Sequence, residues 1–406
     1  MFPIIEVSLA FIKMKKTTES NLSKEESEQY DRQIRLWGLE SQKRIRATDV
    51  LVVGIGGFGA EVCKNIILAG VHSVTMLDHT LVTELDRCSQ FLAPTDNIGN
   101  NRAEASLSRA QELNIMVTVR ADTDNVEDKS DTFFQQFNIV VATECSQDQL
   151  VRINNICREN NVLFFCGDVF GMFGYTFADL LSHQFVEEKN TKVDKLTVTT
   201  TIKKEMTCVP LQDALATHWD GILTNKLKKM DPSYFLLLVL LAFRKKKSRD
   251  PNPAERAEDI IELKKLRDKT LSSVGVPPEK VSDELFRVLC RWALPARRVY
   301  PIPWGHRRKG RSGWRVGGQS PGNTESRWEA KERAGNTKSR WEVKEQSRQL
   351  CAIVGGIMAQ EIIKAASKLH EPYDNMFFFN PTTNGGFIEC VGKFAVSFNG
   401  NFFIVQ

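Results

Sequence analysis

Gly54-Ile55-Gly56-Gly57-Phe58-Gly59 follows directly on the apolar run Val50-Leu51-Val52-Val53. A strand that breaks into a Gly-x-Gly-x-x-Gly turn and then a helix suits an anion. Missing side chains let backbone N–H groups approach a phosphate, and the helix N-terminus adds a favourable dipole. Asp78, nineteen residues after Gly59, stands at the end of the next apolar run and can accept hydrogen bonds from a ribose hydroxyl. Gly54, Gly56, Gly59 and Asp78 are therefore the candidate cofactor-binding residues. Upstream, Tyr30-Asp31-Arg32-Gln33-Ile34-Arg35-Leu36-Trp37-Gly38 supplies two arginines. A guanidinium presents a planar fork of donors to a triphosphate, geometry that Lys does not reproduce. Each feature also has a plainer account. The turn alone fits a ligand-free strand-to-helix connection or an NAD site, and Arg32 and Arg35 beside Asp31 fit a solvated surface group.

The elements that would position these residues follow from pattern. Ser23 and Glu26 form a capping box, so a helix starts there and carries Tyr30, Ile34 and Trp37 on one face. Strands are expected at 50–53, 74–77, 116–119, 137–142 and 162–165, and helices at 60–69, 102–114 and 147–160, with Gly70 at the C′ position of the first. Strands alternating with helices at this spacing give an α/β fold with a doubly wound, mostly parallel sheet. The Lys- and Thr-rich stretch 189–204 reads as strand or loop. Helices follow at 232–243, closed by Lys245, Lys246, Lys247 and Arg249, and at 254–271 and 281–290. An apolar helix at 351–361 and paired strands around Asn384-Gly385 complete the pattern.

The net charge of +5 over 406 residues is unevenly spread. Residues 291–349 hold 15 Lys/Arg against 5 Asp/Glu and five of the seven tryptophans, which leaves the remainder mildly acidic. That segment repeats Gly-Asn-Thr-x-Ser-Arg-Trp-Glu at 322 and 335; two copies are too few for a solenoid, and disorder is expected. Charge with stacking rings also suits nucleic acid, but a disordered insertion is the favoured reading and nucleic-acid binding is not expected. The nine cysteines contain no C-x-x-C pair, and His72, His79 and His183 lack ligand spacing, so no metal site is expected. The odd count reads as reduced, mostly buried thiols. The N-terminal charge polarity is opposite to that of a secretory signal, and the longest apolar run, 235–243, is about half a membrane span, so a soluble chain with no membrane partner is expected.

Taken in order, the Tyr30–Gly38 motif, the glycine turn, Asp78, Ile98-Gly99-Asn100-Asn101-Arg102-Ala103-Glu104-Ala105, Gly167-Asp168-Val169-Phe170-Gly171, Gly174–Ala178 and Val354-Gly355-Gly356 through Glu361 resemble the adenylation half of the ubiquitin-like activating enzymes. The nearer resemblance is to the smaller, Aos-type subunits of SUMO-activating enzymes, over roughly 23–290 and 350–393. It implies a Rossmann-like, ThiF/MoeB-like adenylation domain. In that family two related domains pair and one is chemically complete. Here Cys88-Ser89 precedes Gln90-Phe91 where the complete domain has Asn-Arg, Arg102 lies near its Lys, and Glu144-Cys145-Ser146 stands in place of Leu-Asp-Asn.

The resemblance thus implies a non-catalytic subunit that works in ATP-dependent SUMO activation beside a catalytic SUMO-activating subunit. ATP, Mg2+ and the catalytic cysteine would belong to that partner, and Arg32 would act catalytically in trans on the partner's triphosphate. The glycine turn is intact, so residual nucleotide binding stays open. The resemblance also implies nuclear residence, with cytoplasm as a second location. The alternatives are activation of another ubiquitin-like modifier, or an NAD-dependent oxidoreductase, for which no His/Arg or Tyr/Lys pair is placed. The expected organisation is a disordered lead (1–22), the adenylation domain with its helical arm (23–185), a crossover region (186–290), the insertion (291–349), the returning adenylation segment (350–393) and an atypical tail (394–406).

Overall fold

The computed structural model describes residues 22–193, 196–219, 227–228, 230–252, 255–292, 348–380, 383 and 385–392. The 1–22 lead (but for its last residue), nearly all of the 291–349 insertion and the 394–406 tail lie outside them.

Strand β1 (Asp49–Val53) shows how the sheet is built. Leu51 and Val53 point into one apolar cluster and Val50 and Val52 into another, and all four are buried. A strand covered on both faces needs an apolar run rather than alternation, and Val-Leu-Val-Val is such a run. Parallel ladders join β1 to β2 (Ser73–Leu77) and to β4 (Ile139–Ala142), β2 to β3 (Thr118–Asp122), and β4 to β5 (Leu163–Phe170). The five strands expected from the sequence thus lie in the order β3-β2-β1-β4-β5. The third starts and ends about two to three residues later than its pattern indicates.

The sheet is longer than that. A turn at Gly171, with φ +60°, folds β5 back into β6 (Phe173–Asp179). Strands β9 (Met376–Asn380) and β10 (Gly385–Glu389), the expected C-terminal pair, extend the sheet antiparallel beyond β6. The stretch left open as strand or loop is a separate hairpin of β7 (Ser182–Val193) and β8 (Leu196–Thr207).

Helices cover both faces. On one, α4 (Gly57–Ala69) places Val62, Cys63, Ile66 and Ile67 beside Val354, Met358 and Ile362 of the Arg348–Ser367 helix and Ala103 and Ala110 of α5 (Arg102–Leu113). On the other, Leu150, Ile153 and Cys157 of α7 (Gln147–Glu159) share a core with the Ser233–Lys247, Arg256–Ser273 and Asp283–Trp292 helices. The Arg348–Ser367 helix is long and apolar enough to cross a membrane by length and composition, yet 56% of its apolar window is buried in the fold. Gly355 lets it press on α4, where an added Cβ would lie 2.8 Å from the Glu61 Cβ. Eight cysteines are buried and Cys390 is exposed, and none of the nine is in a disulfide.

Candidate functional site

β1 feeds α4 on one face while its neighbour β4 feeds α7 on the other. Chain reversal between adjacent parallel strands opens a crevice at their carboxyl ends, the usual ligand position in such sheets. Three loops line it: the glycine turn after β1, Asp78 after β2, and Glu144 after β4.

The protein's own side chains fill this crevice. Asp78 is buried, and its Oδ2 accepts from the Ile55 N–H at 2.7 Å and from Arg102 Nε at 2.8 Å. Its Oδ1 accepts from the N–H and hydroxyl of Thr80 at 2.9 and 2.6 Å. Burial works to raise its carboxyl pKa, but Arg102, Thr80 and the Ile55 N–H hold it below the usual carboxylate range. Arg102, itself buried, also reaches Asp86 at 3.1 Å and pairs through Nη2 with Glu144 Oε2. One guanidinium thus binds three carboxylates.

Glu144 has φ +55°, a left-handed conformation that L side chains seldom adopt, and its carboxylate lies over the glycine turn. A Cβ on Gly56 would sit 1.6 Å from Glu144 Oε1, and one on Gly57 would sit 2.1 Å from Ser89 Oγ. Crowding by protein, with Asp168 and Asp78 nearby, pushes the Glu144 carboxyl up to about 7 against the pull of Arg102, while the 39% of its side chain still open to water moderates that effect. Gly54 answers to the backbone instead. Its φ is +82°, and a Cβ there would meet the Thr143 carbonyl at 2.5 Å. As arranged, the turn does not fit a nucleotide: its space above Gly56 and Gly57 is taken, and the carboxylate of Asp78 is already fully engaged.

Next to Glu144, Asp168 of β5 pairs with Arg244 at 2.8 Å. Arg244 also donates to the Cys145 carbonyl at 3.0 Å and lies 4.5 Å from the Phe170 ring centre. Burial pushes the thiols of Cys63, Cys145, Cys157 and Cys351 up to about 12, far from thiolate character at neutral pH. Among the described residues no group of three His, Cys, Asp or Glu is placed to hold a metal ion.

Arg32 lies apart from this cluster, on α2 (Asp31–Trp37), which follows α1 (Lys24–Gln29) and precedes α3 (Leu39–Arg46). The expected capping box of Ser23 and Glu26 starts the arm, with bonds of 3.1 and 2.9 Å. The inward residues of the motif pin it to the body. Tyr30 is buried, its hydroxyl accepting from Asn114 Nδ2 at 2.9 Å. Gln33 donates to the Leu68 carbonyl at 3.0 Å, and Trp37 to Gln42, which in turn donates to the Ala69 carbonyl. Helical periodicity then turns Arg32, Arg35 and Leu36 outward. Arg35 is held by Asp31 at 3.0 Å, whereas Arg32 is exposed and no described residue pairs with it. The structure brings Gly54, Gly56, Gly59 and Asp78 together and leaves Arg32 elsewhere. Spacing alone does not indicate that Arg102 and Glu144 enter the crevice; their departure from the family pattern is the available signal.

A doubly wound sheet with a glycine turn at its switch point and an arginine-bearing arm in front defines a class that comparison with known proteins makes specific. The model of the ThiF family matches residues 30–391, and the chain belongs to that family. It is similar to proteins named SUMO-activating enzyme subunit 1: 41% identical to that of Rattus norvegicus over 91% of this chain and 96% of the relative, and 40% identical to that of Homo sapiens over 93% and 99%. The Danio rerio relative is 40% identical over 91% of this chain and 95% of its own length.

Proposed function

We propose that this chain is the non-catalytic subunit of a heterodimeric SUMO-activating enzyme, lending Arg32 to ATP held by the partner subunit. The observation that carries this is a division of labour within one chain. The glycine turn is filled by Glu144 and Ser89, while Arg32 stands exposed, with no partner among the described residues, on an arm pinned by Tyr30, Gln33 and Trp37. An exposed guanidinium on a fixed helix is suited to stabilise charge on a neighbour's phosphates.

In this role the partner's site joins the C-terminal carboxylate of SUMO to the α-phosphorus of ATP. The new carboxyl oxygen–phosphorus bond replaces the bond to pyrophosphate, whose growing negative charge Arg32 offsets. A thiolate of the partner then takes the acyl group and AMP leaves. Buried and raised, the thiols of Cys63, Cys145, Cys157 and Cys351 are unsuited to that attack. The face that carries Arg32 also exposes Leu36 (76%), Leu39 and Leu68, apolar surface suited to a second subunit.

The test is ATP–pyrophosphate exchange. The purified chain alone should show none, and the chain with its catalytic subunit and SUMO should exchange. Exchange by the lone chain, or an equal rate with the chain omitted from the pair, would refute the proposal. Replacing SUMO by other ubiquitin-like modifiers in the same assay settles which modifier is used.

A further inference from the structure

We infer that Glu144 is a built-in plug of the glycine turn, a carboxylate standing where a nucleotide phosphate would otherwise sit, and that its removal opens a latent nucleotide site on this chain. The inference is independent of the role given to Arg32, so the two can fail separately.

Four observations converge on it. The first is position: Glu144 Oε1 occupies the space that the absent side chain of Gly56 leaves over the turn. Phosphate needs that same space to approach the backbone N–H groups. The second is complementarity. Helix α4 begins with Gly56 as its N-cap, and no side chain caps its first N–H groups, so a carboxylate at this end lies in the favourable field of a thirteen-residue helix. The third is restraint. Glu144 takes a left-handed backbone conformation at φ +55°, and Arg102 grips its other oxygen. Arg102 is in turn fixed by Asp78 and Asp86, so the plug is tied to the loops after β2 and β4 at once.

The fourth is charge. Asp78, Asp86 and Glu144 surround one guanidinium, and Asp168 beside them is matched by Arg244. The cluster therefore carries a surplus of two negative charges when ionised, and a triphosphate entering it meets repulsion as well as steric obstruction. Replacing Glu144 by alanine clears the space over Gly56 and removes one of those charges, while Ser89 stays against Gly57. It leaves the rest of the expected site in place: the glycine turn, the α4 N-terminus and Arg102, freed of one partner. The side chain is 39% exposed, so the plug sits at the mouth of the crevice and its loss exposes the turn directly to solvent.

The experiment is nucleotide binding by the full chain, measured by isothermal titration calorimetry with ATP, and with inorganic pyrophosphate to separate phosphate recognition from base recognition. Wild type is expected to show no saturable binding at millimolar ATP. Glu144→Ala is expected to bind at least tenfold more tightly, with near-UV circular dichroism confirming a native core. Glu144→Gln keeps the volume without the charge and should gain less than alanine does. If the alanine variant does not fold, Glu144→Gly, which suits the backbone φ of +55°, decides: a gain in binding supports the plug and none overturns it. Wild type binding ATP as tightly as Glu144→Ala, or a folded Glu144→Ala that binds no better than wild type, overturns the inference.

Discussion

Replacing Arg102 with methionine tests whether the crevice is held together by its ion cluster. Methionine keeps the length of the stem and removes the guanidinium, leaving Asp78 and Asp86, with side chains 3% and 9% exposed, without their shared cation. Removing one partner of a buried ion pair costs about 3–5 kcal/mol, because the remaining charge stays buried. Two features argue for the lower end. Asp78 keeps the Ile55 and Thr80 donors, and Asp86 keeps the Thr83 N–H and hydroxyl at 2.7 and 2.8 Å. With an unfolding entropy of roughly 2 cal/mol/K per residue over about 300 described residues, a loss of about 3 kcal/mol lowers Tm by roughly 5 °C. Calorimetry on the purified chain at pH 7.5 measures this. Adding Asp78→Asn to the methionine variant should recover part of the loss, since one uncompensated charge disappears. A Tm within about 1 °C of wild type for Arg102→Met, or no interaction in the double-mutant cycle, would refute the argument that this arginine neutralises buried carboxylates.

Two further outcomes are expected. Arg32→Ala should leave stability within about 0.5 kcal/mol of wild type, because the side chain is exposed and pairs with no described residue, yet reduce pyrophosphate exchange by the assembled enzyme by roughly 30- to 1000-fold, equivalent to about 2–4 kcal/mol; full-rate exchange would refute its proposed role. His183 is buried beside Lys368, and burial first and that charge second push its pKa from 6.5 down to about 4. Its contribution to stability is therefore present above pH 6.5 and lost as pH falls toward 4, a term of up to about 3 kcal/mol. Urea denaturation at several pH values should show a shallower acid loss in His183→Leu; an unchanged slope would count against it.

Much of the parallel core was legible because its signals are local. Val50–Val53 must be covered on both faces, Gly70 adopts the left-handed conformation expected of a C′ glycine, and Ser23 and Glu26 cap the arm as their spacing indicates. What stayed hidden depends on partners distant in sequence. The pattern predicts no strand over 173–179, where Gly174 interrupts it; the segment pairs with β5 across the Gly171 turn and with β9 some two hundred residues later. The hairpin of β7 and β8 carries alternating polar residues, a pattern equally compatible with loop, and only pairing in register decides it. The crevice was half visible. Gly56 and Asp78 announce themselves by motif, but the filling of their site comes from Arg102 and Glu144, which lie 24 and 66 residues beyond Asp78 and meet only once β2 and β4 flank β1.

Helix α4 joins two places that the chain otherwise keeps apart. Thirteen residues at 1.5 Å each make a strut roughly 20 Å long. Its first turn lies beneath the Glu144 carboxylate, and its last supplies the Leu68 and Ala69 carbonyls to which Gln33 and Gln42 are moored. A packed helix holds its two ends at a fixed spacing, so crevice and outstretched limb share one strut. The arm that carries Arg32 is thereby footed on the far end of the helix that Glu144 overlies.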